Sequence, residues 1–266
     1  ESYLPYDFKE EFDRHQWLMM GGHLVAGELN EATNNLNGWQ GALLQWHAWN
    51  RSLEGFGEQD AWELRREFVE ACAHQCLLQP YSVRDMLVFV ATNAIHQVRL
   101  ALGNGYRDRL EGDPKAPGDR PRHLTRHGKE QRLRQLMAPW PDAAPWFDLL
   151  HRIDDDAYRK TTFNYRNRAA HAIAPSLAIG HVGFISRQVV QATKLQMQLD
   201  GSYRDMPVPG KMVVSYGFGG TPPLDMEAAR IANLEQYRRA RACFEHYRRL
   251  LSGAMAELPL RQPKAG

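Results

Sequence analysis

The sequence predicts a mainly α fold, a bundle of helices around one core, and three observations carry that reading. Apolar residues recur at spacings of three and four along most of the chain. The best strand-like stretch is short, Lys211-Met-Val-Val-Ser-Tyr216. No strand–helix–strand rhythm supports a nucleotide-binding α/β domain. With 266 residues, 43% hydrophobic and 24% charged, the chain is long enough to bury a sizeable core.

Taken in order, residues 8–53 carry Phe12, Leu18, Leu24, Leu29, Leu36, Leu43 and Trp46 at helical spacing. Gly21-Gly22 and Asn34-Asn35-Leu36-Asn37-Gly38 interrupt the pattern and predict two or three helices there. After the turn 54–59, Asp60 is placed to cap a helix that ends near Gln79-Pro80. Ser82 and Asp85 then read as a capping box for the next helix, with Leu87, Val90, Ala94, Ile95 and Val98 as its stripe and Gly103 as its stop.

Residues 103–125 are rich in Gly and Pro and read as a flexible loop. A short helix follows over 126–138, and another over 146–159 after Pro139, Pro141 and Pro145. Residues 161–174 form a further segment, closed by Pro175. The spacing of Leu177, Ile179, Val182, Ile185, Val189 and Leu195 predicts a strong helix over 176–199. A small extended or hairpin segment is expected near 208–220, then a last helix over 225–251. Residues 1–258 thus read as a single helical domain and 259–266 as a disordered tail.

Composition excludes several functional classes. Cys72, Cys76 and Cys243 are too few for a disulfide scaffold, and no Cys-x-x-Cys pair marks a zinc or thioredoxin-like site. No apolar run reaches the ~18 residues of a membrane span, so no membrane partner is expected. No basic-then-apolar leader is seen at the start, and a reducing, cytoplasmic location is expected. The net charge of +2 is unevenly spread. Residues 1–70 hold 13 acidic and 5 basic side chains, and residues 71–266 hold 18 and 28. Such a basic excess suits a polyanion such as RNA, and equally a solvated surface.

Chemistry is densest in Tyr165-Arg166-Asn167-Arg168-Ala169-Ala170-His171. On a helix, Asn167 and His171 are four apart and share a face. Histidine is the side chain best poised to move protons near neutral pH. Arg166 is suited to hold a phosphate through its planar fork, and Asn167 to orient the imidazole or the phosphate. The alanines let a second helix or a substrate backbone approach. Together these groups suffice for metal-independent RNA cleavage. The 2'-OH loses its proton and attacks the adjacent phosphorus, and the 5'-oxygen leaves as it is protonated, giving 2',3'-cyclic phosphate and 5'-OH ends. One His cannot serve as base and acid at once, so two copies of His171 across a two-fold axis are expected to share the work.

Arg166-Asn167-x-x-x-His171 resembles the signature of the HEPN superfamily of helical-bundle proteins: an Arg, a polar residue, a few variable residues and a His. Composition alone predicts about 0.04 such matches in this chain. The resemblance covers residues 166–171 and the helical character around them. It implies a HEPN-type bundle with extra helices and a metal-independent endoribonuclease working as a homodimer with a composite site. It also implies a role in toxicity or antiphage defence, with an antitoxin or regulatory protein as a further partner. Some HEPN toxins carry His-x-Tyr, whereas Ile173 lies two after His171 here, a departure from that mode of control. The alternative is a catalytically silent helical dimer that binds RNA or a protein.

Further candidates for RNA contact are Arg168 and the basic stretch Arg120, Arg122, Arg126, Lys129, Arg132 and Arg134, with Tyr106 and Trp140 nearby for stacking. No metal or cofactor is expected. Glu70-x-x-x-His74 has the wrong spacing for a di-iron bundle, and Asp154-Asp155-Asp156 reads as a helix cap followed by solvated acids. The dimer interface is expected to draw on helix 225–251 or helix 176–199.

Overall fold

The computed structural model describes residues 2–177 and 182–261. Its elements are α1 (Lys9–Asp13), α2 (Gly21–Leu53), α3 (Glu58–Leu64), a π-helical turn (Arg65–Val69), α4 (Glu70–Leu102), α5 (Arg126–Met137), α6 (Ala143–His151), α7 (Asp156–Thr161), α8 (Tyr165–Ala170), β1 (Val182–Met197), β2 (Tyr203–Thr221) and α9 (Met226–Met255). The chain divides into two compact units. One runs to Asn164 and resumes at Met226; the other is Tyr165–Asp225. The domain expected over 1–258 is therefore described in two parts.

The helical unit is built on three long helices, each about 45–50 Å at 1.5 Å per residue. α4 packs against α2, α5 and α9, and α9 also meets α2 and α6. Buried Leu36, Trp39 and Trp46 of α2, Leu87, Ala91 and Ile95 of α4, and Tyr237, Phe244 and Tyr247 of α9 form the core. Trp39 meets Tyr237 edge-on, with ring centroids 5.6 Å apart, and Trp146 of α6 donates to the Cys243 carbonyl at 3.1 Å.

Two breaks expected from the sequence are absent, for identifiable reasons. The asparagine run 34–38 lies inside α2 because its side chains hold the N-terminal segment. Asn37 Oδ1 accepts from the Leu4 N–H at 2.8 Å, its Nδ2 donates to the Leu4 carbonyl at 3.0 Å, and Asn34 accepts from the Tyr6 hydroxyl at 2.7 Å. Similarly, the helix does not end at Pro80, which is buried inside α4. A proline removes the N–H that would bond the carbonyl four residues earlier, here that of Cys76. Asn233 Nδ2 from α9 takes that place at 2.8 Å. Ser82 therefore caps nothing: its hydroxyl donates to the Leu78 carbonyl at 3.2 Å, within the helix. Asp85 accepts from Arg126 Nε at 2.9 Å.

α5 and α9 fall where the spacing places them, whereas the single helix expected over 146–159 is divided into α6 and α7, with Asp155 capping α7 by accepting from the Tyr158 N–H at 2.9 Å. Residues 103–125 carry no helix or strand. The tail differs from expectation over 259–261. The Pro259 carbonyl accepts from the Gln16 N–H at 2.8 Å, and the Arg261 N–H donates to the Arg14 carbonyl at 2.8 Å. The remainder of the expected tail, 262–266, lies outside the described residues.

The largest correction concerns 176–199. The described part of this segment is not a helix: Leu177 bridges Leu224, and 182–197 form a strand. Ile179, part of the pattern read as helical, lies outside the described residues. Val182, Ile185, Val189, Val190 and Thr193 are β-branched, which disfavours helix and fits a pleated surface. β1 pairs antiparallel with β2 from Val182↔Thr221 to Met197↔Tyr203, with an irregularity between Gln191 and Thr193. The small hairpin expected near 208–220 is thus half of a long two-stranded ribbon, and the mainly α chain carries one substantial β unit.

Candidate active site

α8 is a six-residue helix closed by a left-handed residue at Ala172, φ +56°. The Ile173 N–H bonds the Arg168 carbonyl at 2.9 Å and the Ala172 N–H bonds that of Ala169 at 3.1 Å, a Schellman closure with an alanine where glycine is usual. This geometry makes His171 the C-cap of α8, with its own N–H turned to the Arg168 carbonyl at 3.1 Å. α8 thus covers only part of the 161–174 segment. It is preceded by two more left-handed residues, Phe163 at φ +51° and Asn164 at φ +53°. Non-glycine residues in that region store local strain, and three of them bracket this segment.

Within the segment, Arg166 Nη1 donates to Asn167 Oδ1 at 3.0 Å. Asn167 and His171 are exposed and Arg166 is half-buried. The His171 imidazole makes no hydrogen bond to another described residue, leaving both ring nitrogens available to a substrate. Arg168 is differently employed. Its Nη1 donates to Thr221 Oγ1, and its guanidinium lies 6.0 Å from the Phe184 ring centre. It therefore fastens α8 to both strands of the ribbon.

The basic stretch belongs to the helical unit. Arg126 is consumed by Asp85, by Asp154 at 3.5 Å and by the Tyr81 ring at 3.8 Å. Arg132 donates to the Glu111 carbonyl at 2.7 Å, and Arg134 covers the Phe147 ring at 3.9 Å while remaining exposed. Arg120 and Arg122 are exposed and Lys129 is half-buried. Of the stacking candidates, Trp140 is buried and donates to Glu257 at 2.8 Å. Tyr106 is half-buried under Arg99, which sits 4.4 Å from its ring.

His96 is clamped between the Tyr106 hydroxyl, 2.7 Å from Nδ1, and Asp108 Oδ1, 2.9 Å from Nε2. Burial, with the Asp108 and Asp113 charges adding to it, pushes the Tyr106 phenol up; Arg99 opposes. The trio pins the start of the 103–125 loop onto α4. No spacing rule announces it, because Tyr106 and Asp108 reach back to His96 across the Gly103–Gly105 turn.

Among the described residues, no group of three or more His, Cys, Asp or Glu side chains is placed to hold a metal ion. No helix of the described residues is long and apolar enough to cross a membrane. A cleft of about 340 Å³ beside Trp17 and His23, and another of about 370 Å³ between Leu44, His47 and Arg238, both belong to the helical unit. Neither is lined by Arg166, Asn167 or His171. No family model, curated protein or solved structure matches the chain.

Proposed function

We propose that this protein is a metal-independent endoribonuclease of the HEPN type, with Arg166, Asn167 and His171 as its catalytic residues. The observation that carries the reading is the short α8 segment, where an exposed His171 closes the helix that presents the hydrogen-bonded Arg166–Asn167 pair. In the proposed reaction His171 takes the proton of a ribose 2'-OH. The 2'-oxygen attacks the adjacent phosphorus, the bond from phosphorus to the 5'-oxygen breaks, and a second His171, from another copy, protonates that oxygen. Arg166 neutralises charge developing on the non-bridging oxygens, and Asn167 holds the guanidinium in position through its Oδ1. A role in toxicity or defence, under control of a partner protein, is the setting this chemistry suits.

The test is a defined RNA incubated in EDTA with wild type and His171→Ala, followed by end-group analysis. Cyclic-phosphate and 5'-OH ends from wild type are expected. His171→Ala is expected to be inactive, while retaining its helical circular dichroism and RNA affinity. A 2'-deoxy nucleotide 5' to the cut should block cleavage. Strict Mg²⁺ dependence with 3'-OH ends, or undiminished cutting by His171→Ala, overturns the assignment.

A further inference from the structure

The two faces of the β1–β2 ribbon differ. Residues directly opposite in an antiparallel pair share a face. One face carries Val182 opposite Thr221, Phe184 opposite Gly219, Ser186 opposite Gly217, Gln188 opposite Ser215 and Val190 opposite Val213. It mixes small and polar residues with Val182, Phe184, Val190 and Val213, and Phe184 lies so close over Gly219 that a Cβ there would sit 2.8 Å from its ring. The other face carries Ile185 opposite Phe218, Arg187 opposite Tyr216, Val189 opposite Val214 and Gln191 opposite Met212. Its large side chains are bare, from 47% exposed at Val214 to 102% at Phe218. Arg187 is its one charged residue between Gly183 and Gln191, and it leans on the Tyr216 ring at 5.1 Å.

We propose that this apolar face is a self-association surface, onto which the same face of a second copy stacks. A two-stranded ribbon alone in water is marginal, so a layer packed on its apolar side is what it lacks. Area supports a second copy. Fifteen residue pairs at ~3.4 Å each make a ribbon about 50 Å long and about 10 Å wide. One face then offers about 500 Å², and two copies bury about 1,000 Å², the lower bound for a specific interface.

Composition favours protein over RNA as the occupant. Ile185, Val189, Val214 and Met212 are aliphatic or thioether side chains, so Tyr216 and Phe218 are the flat rings this stretch offers to bases, and its single Arg gives phosphates little to hold. A two-fold stack closes on itself and covers both copies at once. Growth by edge pairing is opposed on β2, where Pro207 and Pro209 interrupt the edge and Gly210 turns to φ +71°. The surface does not rest on the ribonuclease reading, since an inert protein would dimerise through it equally well.

The experiment is light scattering on the full chain at micromolar concentration, without RNA. A mass twice the 30.5 kDa of one chain is expected for wild type. Val189→Glu combined with Val214→Glu should halve it, with the helical circular dichroism retained. Gln188→Glu with Ser215→Glu, on the opposite face, should leave it doubled. As a second measurement, Val189→Cys in a Cys72→Ser background should form an intermolecular disulfide under mild oxidation, and Gln188→Cys in the same background should not. Three results each overturn the proposal: a monomeric wild type whose 182–221 amides are shielded by its own helical unit, a monomer that holds single-stranded RNA through Val189 and Val214, or a dimer indifferent to both glutamates.

Discussion

Arg168 Nη1 donates to Thr221 Oγ1, joining the helix that carries Arg166, Asn167 and His171 to the residue where the ribbon's pairing ends. The two residues lie 53 apart in sequence. Thr221 is buried, so the acceptor end of the bond is shielded from water, while Arg168 is half-buried.

Cutting this tether should loosen α8 without unfolding the helical unit. Thr221→Val keeps the shape and removes the acceptor, at about 1.5–3 kcal/mol for a hydrogen bond to a charged group. Amide exchange over 165–173 should quicken by about tenfold or more, while that of α2 and α4 stays unchanged. Unaltered exchange would mean that α8 is held by other contacts.

Under the ribonuclease reading, the Arg166–Asn167 bond makes the two residues unequal. Arg166→Ala should cost about 10²–10³ in rate, as for a lost charge-stabilising donor. Arg166→Lys should recover part of that, because it keeps the charge and loses the planar fork. Asn167→Ala should be the milder change, since Asn167 orients Arg166 and leaves the charge in place. Single-turnover rates on one RNA order the three. Equal losses would give Asn167 a direct role at the phosphate.

Glu28 links pH to stability. Its carboxylate accepts from Asn93 Nδ2 at 2.5 Å through Oε1, while Oε2 is buried with no partner among the described residues. Burial raises the Glu28 carboxyl above the ordinary range, and the Asn93 bond offsets part of this. The folded state therefore holds the proton more tightly than the unfolded state. This favours folding at low pH, and the benefit is lost as pH rises through the folded-state value. Glu28→Gln cannot ionise, so it should be more stable than wild type at pH 7 and converge with it near pH 4. Parallel denaturant titrations at the two pH values check this. A constant offset would show that burial of Glu28 does not govern its ionisation.

Helical character was legible because apolar stripes persist over many turns, Leu29 to Trp46 in α2 and Tyr237 to Leu251 in α9, but the continuity of α2 through 34–38 and of α4 through Pro80 was not. The ribbon was not. Val182, Ile185 and Val189 fit a helical spacing, and the alternation that marks a strand is visible only once Ile185 is set against Phe218 and Val189 against Val214. Pairing partners 25 to 33 residues apart leave no local mark. The candidate site was legible as three residue types in one short segment. Its anchor, Thr221, was not, because nothing near Thr221 in sequence announces a partner on α8.

The sequence also could not show how α4 runs through Pro80, and this leads to a further prediction. Asn233 is fully buried, and each of its polar atoms is used. Oδ1 accepts from Trp39 Nε1 at 2.7 Å, and Nδ2 donates to the Cys76 carbonyl and to the Tyr158 hydroxyl, each at 2.8 Å. Asn233→Ala strands Trp39 Nε1 and the Cys76 carbonyl in the core, while the Tyr158 hydroxyl keeps the Leu77 carbonyl at 3.4 Å, and should cost about 3 kcal/mol or more, since each buried orphan costs about 1–3. Pro80→Ala restores an N–H aimed at the same Cys76 carbonyl. The double variant Pro80→Ala/Asn233→Ala should therefore lose less than the two single changes together, by about 0.5–3 kcal/mol of coupling. Urea unfolding of the four proteins closes the cycle. Strict additivity would mean that the Cys76 carbonyl finds another donor when Asn233 is gone.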